Sequence, residues 1–110
     1  MKHFSPKIGN NLFSANLLFR SVHNNQLSPN VLWEESIILI EASHLLEATE
    51  KARCIGKTKE HAYLVANGDE VAWKFFTVER VFEIDDEILT DGTELFARFL
   101  KRTEVPTNAI

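Results

Sequence analysis

The residues best suited to acid–base chemistry in this chain are one histidine and the glutamates that could approach it. A histidine acts as a general base when a carboxylate orients its imidazole. Glu60 directly precedes His61 at the start of an apolar run, and Glu34 and Glu35 are adjacent in an earlier run. His61 with Glu60 and one of the two strand glutamates is therefore the best catalytic constellation. Because the sequence places no second carboxylate beside the imidazole, a structural, hydrogen-bonded histidine is the favoured interpretation.

One tripeptide ends like a phosphate-binding loop. Gly56-Lys57-Thr58 matches the close of that motif, but the motif requires a glycine five residues before Gly56, where the chain has Lys51. The glycine also follows a helical pattern instead of opening a helix. We therefore interpret Gly56 as a helix terminator.

Metal-binding patterns are incomplete. Glu41 and His44 form a Glu-x-x-His pair with Glu47 one turn further on, but sites of this type need a second such pair from a facing helix. Cys54 has no second cysteine at zinc-finger spacing and cannot form an internal disulfide, so it is expected to be a buried helix-packing residue. The sequence predicts no metal site and no cofactor.

Two adjacent carboxylates lie in an apolar strand pattern. Neighbouring strand residues point to opposite faces, so either Glu34 or Glu35 shares a face with apolar side chains. A carboxylate on such a face requires a cation, and Arg20 and Arg80 are the strand arginines available. We predict one buried or half-buried Glu–Arg pair, although a strand bulge would move both carboxylates into water.

The aromatic residues are candidates for a stacking or contact surface. Trp33, Trp73 and Phe76 are the candidate interface residues. A base-stacking platform would need a basic groove beside the rings, whereas the neighbouring charges include Glu79 and Glu83. Core and subunit packing is therefore favoured over nucleic-acid binding.

These side chains are carried by a strand, a loop, a second strand and a helix. Residues 11–22 alternate between apolar and polar side chains, which predicts a strand, and residues 31–41 predict a second strand buried on both faces and central in its sheet. The helix that follows is expected to be capped by Ser43 and to end at Gly56 in a left-handed conformation, with an exposed Glu47–Lys51 pair.

The second half of the chain predicts a hairpin. Residues 61–66 and 71–84 flank Asn67-Gly68, the strongest short hairpin signal. The second of these strands changes its apolar parity near Phe75-Phe76, which indicates a bend or bulge. Residues 93–101 suit either a helix or a strand, and we favour a strand.

The predicted fold class is α+β, with a mainly antiparallel sheet of about five strands in the chain order β-β-α-β-β-β and one helix on one face. One helix covers only one face of such a sheet, whereas several strands are apolar on both sides. The sequence therefore predicts a second covering element. A second copy of the chain in a homodimer is the simplest candidate.

Composition and termini set the wider expectations. The chain has 110 residues, 45% of them hydrophobic and 25% charged, with a formal net charge of −4, which suits a soluble domain and argues against nucleic-acid binding. It has no run of about 20 apolar residues and no signal-peptide pattern, so we expect a cytoplasmic protein that does not enter membranes. We expect one domain over residues 11–102, with flexible segments at 1–10 and 103–110.

Several segments in order carry a family resemblance. They are Leu32-Trp33-Glu34-Glu35-Ser36-Ile37, the helix from Glu47-Ala48 to Gly56-Lys57, Glu60-His61, Val71-Ala72-Trp73-Lys74-Phe75 and Asp91-Gly92-Thr93-Glu94. Over residues 11–101 the chain resembles an uncharacterised bacterial family, the domain of unknown function 4288. The resemblance implies a small standalone bacterial domain, and it implies no ligand, activity or site residue.

Two functions from different classes remain open. The favoured one is a non-enzymatic module that forms a dimer through its sheet surface and binds a protein or a small ligand. The alternative is a small acid–base enzyme, hydrolase-like, that uses His61 with nearby glutamates. The sequence favours the first because every catalytic constellation lacks a component.

Overall fold

The computed structural model describes residues 5–27, 29–85 and 88–109. Over these ranges the regular elements are four strands, one α-helix and two short 3-10 turns. The order β-β-α-β-β confirms an α+β fold with one helix and an antiparallel sheet, but with four strands instead of about five. The elements are β1 (Asn11–His23), β2 (Trp33–Ala42), α1 (Leu45–Thr58), β3 (His61–Leu64), β4 (Glu70–Ile84) and the 3-10 turns Arg102–Glu104 and Thr107–Ala109.

The sheet order is β2-β1-β4-β3, and each neighbouring pair is antiparallel. β1 is a central strand and β2 is an edge strand, so the prediction that β2 is central and buried on both faces was wrong. Ile38 and Ile40 of β2 pack toward the core. Ile37 and Leu39 point to the other face and stay exposed, because no described element covers that face beside the edge strand.

The core lies between the sheet and α1. Alternate β1 residues supply one wall, and the helix approaches closely because its inward positions are small. The buried residues of this layer are Phe13, Ala15, Leu17, Phe19, Ile40, Ala42, Ala48 and Ala52. We call the opposite surface of the sheet the open face.

The start of α1 is a reciprocal cap. The cap residue is His44, whose Nδ1 accepts the N–H of Glu47 at 3.2 Å, so the prediction of Ser43 was wrong by one residue. Glu47 Oε1 in turn accepts the Ser43 N–H at 2.9 Å, which satisfies another free donor at the helix start. The predicted surface pair is confirmed, with Lys51 Nζ at 3.9 Å from Glu47 Oε1.

The end of α1 differs from the prediction. The helix continues through Gly56 to Thr58, and its last cap is Lys59 with an ordinary right-handed φ of −88°. Gly56 is therefore an interior helical residue and not a left-handed terminator. Gly56-Lys57-Thr58 lies within the helix, where it does not form a phosphate-binding loop. Cys54 is exposed, so its predicted burial was also wrong, because it lies outside the small-residue face that meets the sheet.

The Glu47 cap makes the stability of α1 depend on pH. The Ser43 N–H, followed by the positive side chains of Lys51 and His44, holds the pKa of Glu47 below its ordinary 4.5. A group whose pKa is lowered by folding stabilises the fold above its unfolded pKa, and this stabilisation is lost as pH falls through the lowered folded pKa. We expect Glu47→Gln to flatten the dependence of the thermal midpoint on pH below 4.5.

Thermal unfolding followed by circular dichroism across that acidic range measures the effect of Glu47→Gln. Glu94→Gln removes an exposed carboxylate outside the helix and is the matched charge control. A Glu47→Gln variant whose midpoint falls as steeply with acid as that of the parent protein would contradict the assigned role of the cap.

The predicted hairpin between β3 and β4 is confirmed. The Val65 N–H donates to the Asp69 carbonyl at 2.9 Å across the turn, and Asn67 Oδ1 accepts the Asp69 N–H at 3.0 Å. Gly68 has a φ of +87°, a conformation that glycine adopts without a steric penalty.

The predicted change of face in β4 is also confirmed. The pairing with β1 shifts twice, and the extra residues on β4 are Phe76 and Glu79. The first bulge sends two neighbouring aromatic rings to opposite faces: Phe75 packs against Phe19 in the core, whereas Phe76 reaches the open face beside Trp33.

Residues 93–100 form neither strand nor helix, so the predicted fifth strand was wrong. Both edges of β1 and of β4 are already paired, and the segment crosses the open face instead. Ser14 Oγ donates to the Leu95 carbonyl, and the Phe96 ring packs edge-on against Phe82 at 5.9 Å between centroids. Among the described residues no helix is long and apolar enough to cross a membrane.

Candidate functional site

The open face carries a cluster of exposed apolar side chains. The β1–β2 register places Trp33 opposite Arg20, Ile37 opposite Asn16 and Leu39 opposite Ser14, all on the side away from α1. The bulge adds Phe76 to the same surface. We call Trp33, Ile37, Leu39 and Phe76 the apolar patch; their exposed fractions are 50%, 51%, 40% and 50%. The segment at Leu95 and Phe96 covers a different part of the face and leaves this patch open.

Arg20 organises the aromatic end of the patch. Its guanidinium lies 4.9 Å from the centroid of the Phe76 ring and 5.9 Å from that of Trp33. The two rings also meet edge to face, with centroids 5.0 Å apart. Cation–π and edge-to-face contacts hold the three side chains in one arrangement before any partner binds, which lowers the entropy cost of association.

Glu35 supplies a negative group on the same face. It lies one register pair from Trp33, opposite Leu18, and its Oε2 accepts from Asn16 Nδ2 at 3.3 Å. Glu34 points to the helix side, opposite Phe19. Within residues 5–27, 29–85 and 88–109, neither glutamate forms an ion pair.

The arginines proposed as partners for these glutamates are engaged elsewhere. Arg20 lies against the Trp33 and Phe76 rings, as described above. Arg80 lies 3.4 Å from a Glu79 carboxylate oxygen and 5.1 Å from the Phe96 ring centroid. Both strand carboxylates are exposed to solvent, the alternative that a bulge would produce.

His61 lies in a cleft on the helix side of the sheet. The cleft has a volume of about 280 Å³ and is lined by Phe19, Glu34, Ser36, Lys59, His61 and Trp73. The structure thus brings Glu34 and His61 to one cleft and leaves Glu35 on the other face. Among the described residues the polar contact of the imidazole is with a backbone carbonyl: Nδ1 lies 3.1 Å from the oxygen of Lys59.

Glu60 has a structural contact. Its Oε2 accepts the N–H of Phe75 at 2.8 Å, next to the β4 bulge at Phe76. A bulge disrupts the strand ladder locally, and a carboxylate is a strong acceptor for a backbone donor at such a site. This carboxylate therefore supports the strand at the point where the chain changes face.

The three candidate interface residues divide between the two faces. Trp33 and Phe76 contact each other on the open face. Trp73 packs on the helix side against the core, and its Nε1 donates to Tyr63 Oη at 3.4 Å. The bulge separates Trp73 from Phe76, so the two residues cannot contribute to one surface.

The family model described as "Domain of unknown function (DUF4288)" matches residues 12–97. The chain belongs to this family. The matched range contains all of β2, α1, β3 and β4 and continues to the residues that cross the open face. The resemblance carried by the sequence segments is therefore confirmed. No curated protein and no solved structure matches the chain.

Two contributions to these surfaces were missed from the sequence. Arg20 was considered only as a partner for a carboxylate, although it lies against Trp33 and Phe76. Lys59 joins the His61 cleft from the end of α1. No pattern in the sequence pointed to either, because Arg20 meets the rings only through the β1–β2 register and the β4 bulge.

Proposed function

We propose that this protein is a non-enzymatic interaction module that forms a homodimer through the apolar patch of its open face. The observation that carries the proposal is the cluster of half-exposed side chains around Arg20. Trp33 and Phe76 are each 50% exposed in the single chain, and Ile37 is 51% exposed. A contiguous exposed apolar cluster with a polar rim is typical of a protein-binding surface.

The residue types of the patch match those that dominate interface energetics. Tryptophan and arginine are enriched among residues whose truncation costs most binding energy, particularly at the centre of an interface. Here they are combined in one stacked arrangement, with Arg20 against both aromatic rings. Burying these rings in a partner would also strengthen the cation–π contacts by removing water.

A second copy is the occupant favoured by the charges. The open face presents both signs, with Arg20 and Lys74 at one end and Glu35 nearby on the edge strand. A two-fold axis pairs each charge with the same surface of the other chain, so a face with both signs can complement itself. The net charge of only −4 leaves little overall repulsion between copies.

A glutamate in the patch is expected to separate the two chains. The parent protein should sediment at twice its 12.6 kDa chain mass at micromolar concentration. Phe76→Glu removes a central ring and adds a desolvation cost, so its dissociation constant should rise by at least about tenfold and give a folded monomer. Sedimentation equilibrium, together with circular dichroism to verify folding, makes the measurement.

Leu46→Glu is the matched control for Phe76→Glu. Leu46 is 68% exposed and lies on α1, on the opposite side of the sheet from the patch. The same change there should leave the dimer intact. A parent protein that is monomeric at micromolar concentration, or a Phe76→Glu variant that associates as tightly as Leu46→Glu, would contradict the proposal.

A further inference from the structure

The chain after Phe96 forms a closed loop. Arg98 Nη1 lies 2.8 Å from Glu104 Oε2, and the other oxygen of the same carboxylate accepts the Lys101 N–H at 2.8 Å. A 3-10 turn at Arg102–Glu104 completes it. We call residues 98–104 the C-terminal loop. Two bonds to one carboxylate hold its shape without help from the sheet.

This loop presents a phenylalanine that has no cover within its own chain. Phe99 is 102% exposed, as open as in an isolated peptide, and the neighbouring Leu100 is 51% exposed. The radius of gyration of the chain is 17.5 Å, compared with about 13 Å for a compact domain of this length. An ordered loop that projects an aromatic ring outward has the form of a contact element for another molecule.

The loop and the aromatic end of the patch lie toward opposite ends of the open face. The chain leading to the loop crosses the sheet at Ser14 and Phe82, whereas Trp33 lies opposite Arg20. Six residues of β1 separate Ser14 from Arg20, which corresponds to about 20 Å of strand. One end of the open face is therefore raised by an extra layer and the other is bare.

This unevenness selects one of the two-fold arrangements. An axis that puts like ends together would press the two raised segments against each other and hold the bare ends apart. An axis that exchanges the ends places the raised segment of each chain over the bare aromatic end of the other. The second arrangement is the one with complementary shapes, which interfaces require.

We infer that, in the proposed homodimer, Phe99 of each chain packs on Trp33 and Phe76 of the other chain. The inference rests on the proposed function and specifies its geometry: the strands of the facing sheets run with their ends exchanged. The C-terminal loop is then an interface element that completes the patch of the second copy.

Cross-linking between single-cysteine proteins tests this geometry. Cys54 is the one cysteine, so a Cys54→Ser parent carries no other thiol. Arg102→Cys marks the loop and leaves Phe99 intact, whereas Lys74→Cys marks the aromatic end of the open face beside Phe76. Mixing the two proteins, one of them tagged, and adding a short bis-maleimide should yield a product that contains one chain of each kind.

Two results would overturn the inference while leaving the dimer itself in place. One is efficient cross-linking of the Arg102→Cys protein to itself, which would indicate that like ends meet. The other is a Cys54→Ser parent that sediments as a dimer but gives no mixed product. If the parent is instead a monomer by sedimentation, the proposed function has failed, and the inference fails with it.

Truncation of the loop residue gives a second, independent measurement. We expect Phe99→Ala to raise the dimer dissociation constant by about 10- to 100-fold, the range for a central aromatic contact. Because Phe99 is fully exposed in the single chain, the thermal midpoint at a concentration where only monomer is present should not change. Leu64→Ala, at a residue 72% exposed on β3, is the control and should not affect association. Equal dissociation constants for Phe99→Ala and Leu64→Ala would refute the inference.

Discussion

Leu17→Ala should lower the free energy of unfolding by about 2–5 kcal/mol, the largest loss that we expect from any single truncation considered. Leu17 is fully buried in the central strand, with Ala48 and Ala52 of α1 in the same core cluster. The cost combines the lost transfer free energy of the side chain with the cavity left between sheet and helix. Small alanines on the helix side have no side-chain atoms with which to fill that cavity.

Leu18→Ala is a control that differs only in the face of the strand. Leu18 is the next residue of β1, is half-buried and lies on the open face opposite Glu35. Truncation there removes the same atoms from a more solvated site, so the loss should be markedly smaller. Urea unfolding at several protein concentrations measures both variants and separates fold stability from association. Equal losses for the two variants would contradict the core described above.

Gly56→Ala should destabilise the fold by about 1–3 kcal/mol, although alanine favours a helix over glycine by about 1 kcal/mol. A Cβ at position 56 would lie 2.5 Å from two atoms of the Phe75 ring, a separation that no real contact sustains. Phe75 is packed edge-on against Phe19 at 5.8 Å between ring centroids, so its ring cannot move without disturbing the core. The steric cost therefore exceeds the gain in helix propensity.

Cys54→Ala gives the matched control for Gly56→Ala. Cys54 is exposed on the same helix, where alanine should be neutral or slightly stabilising. Combining Gly56→Ala with Phe75→Leu removes the ring that blocks the Cβ, so the double variant should lose less stability than the sum of the two single changes. A Gly56→Ala protein as stable as the parent in urea would show that α1 can shift away from the sheet at little cost.

Gly56 also illustrates what a sequence pattern cannot distinguish. A glycine near the end of a helical run matches both a left-handed terminator and a position of close packing. The choice depends on whether a bulky group approaches the backbone, and here that group is Phe75, 19 residues later in the chain. Contacts between residues this far apart are set by strand register, which local propensity does not encode.

The predictions that held depend on short-range chemistry. The Asn67-Gly68 turn, the helix with its Glu47–Lys51 pair and the change of face at Phe75-Phe76 all follow from neighbouring residues. The order of the strands did not follow in this way. β2 has a continuous apolar run, which is typical of a central strand, yet it lies at the edge.

By itself, the sequence determined the α+β class, the family, the hairpin and the presence of more apolar strand surface than one helix covers. Only the tertiary structure decided how that surplus is divided: part lies under the crossing segment at Leu95 and Phe96, and part is left as the apolar patch around Arg20. The physical reason is that turns and helix caps are local, whereas the covering of a sheet face depends on strand order, register and bulges along the whole chain.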